Sequence, residues 1–161
     1  MIKIIDNFLP EEEFKFIQSI MMSKEFKWYY IQGTAHLYDG LYHMTHMFFE
    51  TPVGPNCKHL DIWRTFMNKV KAEKCTRIKA NLTFRTSEPD KSGFHIDYDD
   101  DGKTAVFYIN TNNGYTEFES GVRVSSVANR ACIFDSNLQH RGTTHSEGGQ
   151  QRIVVNFNYY A

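Results

Sequence analysis

Cysteine is scarce in this chain. Three residues in 161 (Cys57, Cys75, Cys132) stand far apart with no Cys-x-x-Cys pair. A disulfide framework or an all-cysteine zinc site is therefore not expected; buried, reduced thiols in a cytosolic protein are. Long apolar runs are missing too. No stretch approaches the roughly 18 residues that span a bilayer. The N-terminus, MIKIIDNFLPEEE, lacks the pattern of a secretory signal. No membrane partner and a cytoplasmic location are the resulting expectations. Charge of one sign is also lacking. A net charge of −1 argues against a nucleic-acid binder held by counterion release. The one basic cluster, Lys69, Lys71, Lys74, Arg77 and Lys79, reads as the solvated face and end of a helix. Leucine is sparse, with six residues against 20 Ile plus Val and 24 aromatics. That bias favours pleated sheet over a helix bundle. Ample apolar content with almost no net charge excludes a disordered chain.

The order of patterns predicts one domain over 1–161, with a strand and supporting helices over 1–75 and a β core over 76–161. Residues 2–8 read as a short strand. Pro10 followed by Glu11, Glu12 and Glu13 opens a helix over 10–23, with Phe14, Ile17, Ile20 and Met21 at helical spacing. Residues 26–50, rich in aromatics and His, predict irregular strands; 51–57 predicts a loop and 58–73 a second helix. From 76 onward strands alternate with turns. In TRIKANLTFRT, Ile78, Ala80, Leu82 and Phe84 share one face, and Arg77, Lys79, Asn81, Thr83 and Arg85 the other. GFHIDY predicts a strand, TNNG a hairpin turn, and YTEFES, VRVSSV, RACIFD and RIVVNFNYY further strands. The fold class is α+β and mainly β: an antiparallel sandwich or jelly roll with N-terminal helices packed on one sheet.

Phe94-His95-Ile96-Asp97-Tyr98 carries the chemistry. In a strand His95 and Asp97 project together, and Phe94, Ile96 and Tyr98 oppose them. An imidazole beside a carboxylate is two thirds of a 2-His-1-carboxylate triad, which holds Fe(II) on one face and leaves positions open. His140, after the strand ACIFD, is the candidate third ligand. Arg152 begins a strand on which Arg152, Val154, Asn156 and Asn158 share a face. A guanidinium pointing into an apolar barrel is costly unless it meets an anion, and its fork suits a carboxylate.

These motifs, in this order, resemble the 2-oxoglutarate/Fe(II)-dependent dioxygenases, in particular the prolyl 4-hydroxylase-like branch. The resemblance runs over FHID, KTAVFYIN, GYTEF, ACIFDSNLQHRG and QRIVVNFNY, from about Arg77 to Tyr159, and extends to the opening IIDNFLPEEEFKFI. It implies a cupin-like double-stranded β-helix with Fe(II) held by His95, Asp97 and His140. It implies that Arg152 pairs with the C5 carboxylate of 2-oxoglutarate and that Tyr108 donates to the same group. Asn81 or Thr83 would contact the cosubstrate from the first barrel strand. The implied reaction consumes O2, turns 2-oxoglutarate into succinate and CO2, and hydroxylates a substrate, with ascorbate as a reductant. The implied partners are 2-oxoglutarate and a peptidyl, prolyl-type or small-molecule substrate. Tyr115, Ala128-Asn129-Arg130 and Thr83 depart from the branch's usual pattern, and they bear on the substrate class.

Two other functions compete. A β-helix module could bind metal or ligand without turnover, but it has no reason to keep an oxoglutarate clamp. A nucleic-acid or nucleoside demethylase is disfavoured by the neutral charge and by the lack of an evident base-flipping lid. His36, His43, His46, His59 and His145 read as surface or packing residues. The His43-x-x-His46 spacing needs a helix to bind metal, and its surroundings are not helical. Arg85 and Arg141 read as surface residues, and the 26–50 segment, with Trp28, Tyr29, Tyr30, Tyr38 and Tyr42, as a possible lining of the substrate mouth.

Overall fold

A computed structural model describes residues 1–33, 42–55 and 59–161. Tyr38, His36 and Cys57 lie outside the described residues. Strand β1 (Lys3–Ile5) leads into helix α1 (Glu11–Met21), and then come β2 (Tyr29–Gln32), β3 (Tyr42–Glu50) and the two-residue β4 (Gly54–Pro55). A 3-10 turn (Leu60–Trp63) runs into α2 (Arg64–Lys69). The rest is strand: β5 (Lys74–Phe84), β6 (Lys103–Tyr108), β7 (Tyr115–Phe118), β8 (Arg123–Ser125), β9 (Arg130–Asp135), β10 (His140–Gly142) and β11 (Gln151–Tyr160).

The strands form two antiparallel sheets. The large one has the order β1-β9-β6-β11-β5-β3-β2, with β4 on β3; the small one has the order β10-β7-β8. Strand alternation divides the apolar residues between two clusters. On the outer face of the large sheet, Ile78, Ala80, Phe107, Val155 and Phe157 pack with Phe14, Ile17 and Met21 of α1 and Phe66 of α2. Phe66 stacks on Phe157 with ring centroids 3.8 Å apart, and Phe14 meets Phe107 edge-on. Such pairs add about 1 kcal/mol each beyond the area they bury. Between the sheets, Val106, Tyr108, Cys132, Phe134 and Val154 pack against Phe118 and Val124 of the small sheet. The N-terminal part is woven into the same sheet, because β1 pairs with β9 and β3 with β5.

Helix α1 starts after Pro10 at φ −51°, with three glutamates in its positive first turn. The second helix is shorter than the periodicity predicts. Lys71 takes φ +56° and the Ala72 N–H returns to the Met67 carbonyl at 3.1 Å, a reverse turn that stops the helix and feeds β5. Two further expectations are corrected. FHIDY is not a strand: His95 makes an isolated bridge to His140, and its neighbours are irregular. TNNG does not close a hairpin, because β6 pairs with β9 and β11 whereas β7 lies in the other sheet beside β10 and β8. Asn112 makes this crossing turn, its side chain accepting from the Gly114 N–H at 3.0 Å. No helix among the described residues is long and apolar enough to cross a membrane.

Candidate active site

A cavity of about 290 Å³ opens between the sheets, lined by inward residues of β5 and β11, by the 90–97 segment and by β10 and the residues after it. At one end stand His95, Asp97 and His140. One potential ligand atom from each lies within 4.8 Å of the others. Main-chain bonds build this juxtaposition. His95 N–H donates to the His140 carbonyl and His140 N–H to the His95 carbonyl, both at 3.0 Å. The ring Nδ1 of His140 sits 2.9 Å from the Leu138 carbonyl and that of His95 3.3 Å from the Gly93 carbonyl. With Nδ1 protonated toward a carbonyl, each ring presents Nε2 as its lone-pair donor, the tautomer a metal requires. Burial also lowers the His140 pKa, favouring the neutral ring.

Asp97 is held on both oxygens. Arg77 Nη2 donates to Oδ1 at 2.8 Å; Thr104 Oγ1 and Asn158 Nδ2 each donate to Oδ2 at 3.0 Å. Arg77 is itself steered by Nε donating to Asn158 Oδ1 at 2.9 Å. Burial alone would raise the Asp97 carboxyl, but the Arg77 guanidinium and these donors bring it below its ordinary value. A carboxylate facing two imidazoles is the donor set of a hard-to-borderline divalent cation such as Fe(II), so the residues present fit that ion.

Arg152 lies at the other end and is 4% exposed. Its Nε donates to Ser126 Oγ at 2.8 Å, but Nη2 has no hydrogen-bond partner and no carboxylate among the described residues pairs with it. Burial pulls its pKa down, the mark of a desolvated charge. Thr83, directly opposite Arg152 in the β5–β11 register, has a buried Oγ1 that is also unpartnered. Two buried donors facing one space fit the terminal carboxylate of a dicarboxylic acid. Gly114 makes room for the arginine, because a Cβ there would lie 2.6 Å from Arg152 Cδ.

The other predicted contacts fall as follows. Asn81 lines the cavity between the two ends. Tyr108 points inward from β6 but is not among the lining residues; its hydroxyl donates to Thr116 Oγ1 at 2.8 Å, and burial raises its pKa. The Arg152 guanidinium lies over its ring, 5.8 Å from the centroid. Ile96, expected to face away from the ligands, lines the cavity, as the irregular backbone allows. From the 26–50 segment, Tyr42 and His43 reach the lining, whereas Tyr29 and Tyr30 are exposed on the edge strand β2 and Trp28 packs on Phe26. His46 is buried beside Phe26 and Phe48, His145 is buried, and His59 is exposed. Burial pushes the thiols up to about 11 at Cys75 and about 12 at Cys132, which disfavours the thiolate form.

Sequence reasoning missed Arg77 and Lys79. Neither belongs to a solvated helix end; both sit in β5 and line the cavity. The signal was available in strand parity, since they share the face of Asn81 and Thr83. Arg141 is not a plain surface residue either. It bonds the Glu117 carboxylate at 2.6 and 2.8 Å and stacks over Phe94 at 4.1 Å, so it ties β7 and β10 to the residue before His95. Arg123 holds the other Glu117 oxygen at 2.7 Å.

No family model matches the sequence, and a search of curated proteins finds no relative. Solved structures do match. An oxidoreductase of the 2OG-Fe(II) oxygenase family from Burkholderia pseudomallei superposes with a TM-score of 0.74 at 12% identity, over 99% of this chain and 84% of the other. A prolyl hydroxylase from Trichoplax adhaerens, solved with a hypoxia inducible factor peptide, gives 0.64 at 12% identity over 98% and 83%. HygX from Streptomyces hygroscopicus, with nickel, 2-oxoglutarate and hygromycin B bound, gives 0.60 at 11% identity over 99% and 82%. At such identities the likeness speaks for architecture alone, and the chain has the antiparallel jelly-roll fold that these structures share.

Proposed function

We propose that this protein is a 2-oxoglutarate- and Fe(II)-dependent dioxygenase that hydroxylates a peptidyl, prolyl-type residue or a small molecule. One observation carries the reading: a single cavity has a His95-Asp97-His140 cluster at one end and a desolvated, unpaired Arg152 at the other. A chelating dicarboxylate spans such a pair of ends, and a plain metal-binding barrel has no use for the second.

In this reading His95, Asp97 and His140 hold Fe(II), and Arg77, Thr104 and Asn158 keep the Asp97 carboxylate ionised and aimed. Arg152 and Thr83 take the C5 carboxylate of 2-oxoglutarate, with Ser126 and Gly114 setting the angle of the guanidinium. Asn81 lines the path of the chain between the two ends. Tyr108 supports Arg152 through its ring and, by way of Thr116, closes the cavity wall. The bound iron supplies the oxidising chemistry, in which O2 and 2-oxoglutarate yield succinate, CO2 and a hydroxylated product. The protein would contribute three fixed ligands and a seat for the cosubstrate within one cavity. The Trichoplax prolyl hydroxylase, solved with a peptide, and HygX, solved with hygromycin B, support keeping both a peptide and a small molecule in this reading.

The test is incubation with Fe(II), ascorbate and 2-oxoglutarate, following succinate, together with melting in Mn(II) with and without N-oxalylglycine. Succinate formation and two additive rises in Tm are expected. A rise with Mn(II) and none with N-oxalylglycine would mark a non-catalytic metal-binding module instead. Steeply salt-dependent binding to DNA would revive the demethylase reading, which a net charge of −1 does not favour.

A further inference from the structure

The proposed reading leaves one cavity charge without a use. Five charged side chains line the space: Arg77, Lys79, Arg152, Asp90 and Asp97. Arg77 is committed to Asp97 and Asn158. Arg152 answers the C5 carboxylate of 2-oxoglutarate. In the proposed reading Asp97 and the C1 carboxylate would balance a divalent iron. Asp90 is exposed at the rim, with its main chain bonded to Thr144. Among the side chains that line the cavity, with Asp90 counted against the cations, one positive charge remains, and Lys79 carries it; Glu50 acts on it only from outside the lining and beyond ion-pair distance.

Lys79 is half-buried, and its ammonium makes no hydrogen bond or ion pair among the described residues. Burial lowers its pKa and Arg77 adds to that; Asp97 and Glu50 oppose it from beyond ion-pair distance. A lysine kept partly dry beside another cation costs stability unless an anion arrives. Opposite it in the β5–β11 register is Asn156, which also lines the cavity and has no side-chain partner among the described residues. Residues directly opposite on paired strands have Cβ atoms about 5 Å apart. Both side chains line the same cavity from paired positions, two residues along the strands from Arg77 and Asn158 and four from Thr83 and Arg152.

We propose that the primary substrate carries a carboxylate, received by Lys79 and Asn156 beside the metal end. The inference rests on the oxygenase reading and adds the substrate's charge to it. A carboxylate fits better than a phosphate, because a single free ammonium matches a single negative charge. The pair also fixes which end of the substrate faces the iron, since the anchored carboxylate leaves only nearby carbons within reach.

The experiment uses the whole chain saturated with Mn(II) and N-oxalylglycine, so that the metal ligands and Arg152 are occupied. N-acetylproline, N-acetylglycine and hexanoate are each titrated against their carboxamides by calorimetry, with inorganic phosphate as a further arm. The acids should bind at least about tenfold more tightly than the amides, the effect of one charge-assisted contact. Lys79→Met should abolish that difference and Asn156→Ala should reduce it, while Lys69→Met, on α2 outside the cavity, should keep it. Lys79→Gln serves should the Met variant fail to fold. Equal binding of acids and amides, no binding of any acid, or tighter binding of phosphate overturns the proposal. So does a Lys79→Met protein whose N-oxalylglycine affinity falls as far as its acid affinity, because the ammonium then belongs to the cosubstrate. A wild-type protein that fails to respond to Mn(II) and N-oxalylglycine brings down the oxygenase reading itself, and that result is read before any acid is added.

Discussion

At the metal end of the cavity both oxygens of Asp97 already have donors, whereas at the Arg152 end two buried donors have no acceptor. The first end is organised before anything binds. The second holds a desolvated charge whose partner must come from outside. The difference separates two ways of making a site. Saturating a ligand with hydrogen bonds fixes geometry and costs little, because the bonds offset the burial. Leaving a buried cation unpaired costs stability and stores it as affinity for an anion.

The strongest test of the comparison removes a ligand. His95→Ala or Asp97→Ala should abolish both succinate formation and the Mn(II)-induced rise in Tm, and a variant that kept either would remove the metal from this end. Next comes Arg152→Met, which should act in two directions. Its 2-oxoglutarate affinity should fall by about thirtyfold or more, matching the roughly 2–5 kcal/mol lost when one partner of a buried charge pair is truncated. Its melting temperature without ligand should not fall, because a desolvated charge has gone; a clear drop would mean that Arg152 is already satisfied. At the saturated end, Asn158→Ala should weaken Mn(II) binding by about 10–100-fold while leaving the fold intact, as read by calorimetry and circular dichroism.

The smaller effects refine the boundary between the ends. With its hydroxyl spent on Thr116, Tyr108→Phe should change 2-oxoglutarate affinity by less than about fivefold, the worth of one neutral hydrogen bond; a larger loss would put that hydroxyl on the cosubstrate. Glu117 concerns the brace behind the metal end. Arg141 and Arg123 hold its carboxyl down at about 2, against an ordinary 4.5. A depressed carboxyl contributes stability that is present above its unfolded value and is lost as pH falls through the folded one. The wild-type protein should therefore lose Tm relative to Glu117→Gln between pH 4.5 and 2, and parallel curves would show that the brace carries no such energy.

Much of this was legible in the sequence, for reasons that can be located. Strand parity in RIVVNFNYY correctly turned Arg152, Val154 and Asn156 inward, because β11 is long and flanked on both sides and its alternation holds as far as Asn158, where the register with β5 shifts. The helix over Glu11–Met21 was legible because proline, glutamates and apolar spacing agree. Less was legible where local pattern gives way to tertiary context. FHIDY alternates like a strand, yet its backbone is held by one bridge to His140 and by contacts such as Asp97 N–H to the Ser136 carbonyl at 3.3 Å. TNNG has the composition of a hairpin, but the sheets on either side of it differ, and composition does not encode which sheet the next strand joins. Lys79 and Arg77 were grouped with their basic neighbours along the chain, whereas the strand separates them from Lys74 by turning them into the cavity. Thr83 shows the same limit in miniature: sequence placed it near the cosubstrate alongside Asn81, and only the register sets it opposite Arg152.

The pairing of His95 with His140 has a consequence for how the protein comes to be. The cluster joins residues from the 90–97 segment and β10, and its carboxylate is held from β5, β6 and β11, while β1 is stitched to β9 across most of the chain. The contacts that join its elements, His95 to His140 and Asp97 to Arg77 and Asn158, link distant parts of the sequence, so loop-closure entropy must be overcome before they are rewarded. A half-formed barrel would have no place for the proposed ion. Metal uptake during refolding should thus be the last event, trailing the recovery of β structure, and it can serve as a clock for closure of the barrel.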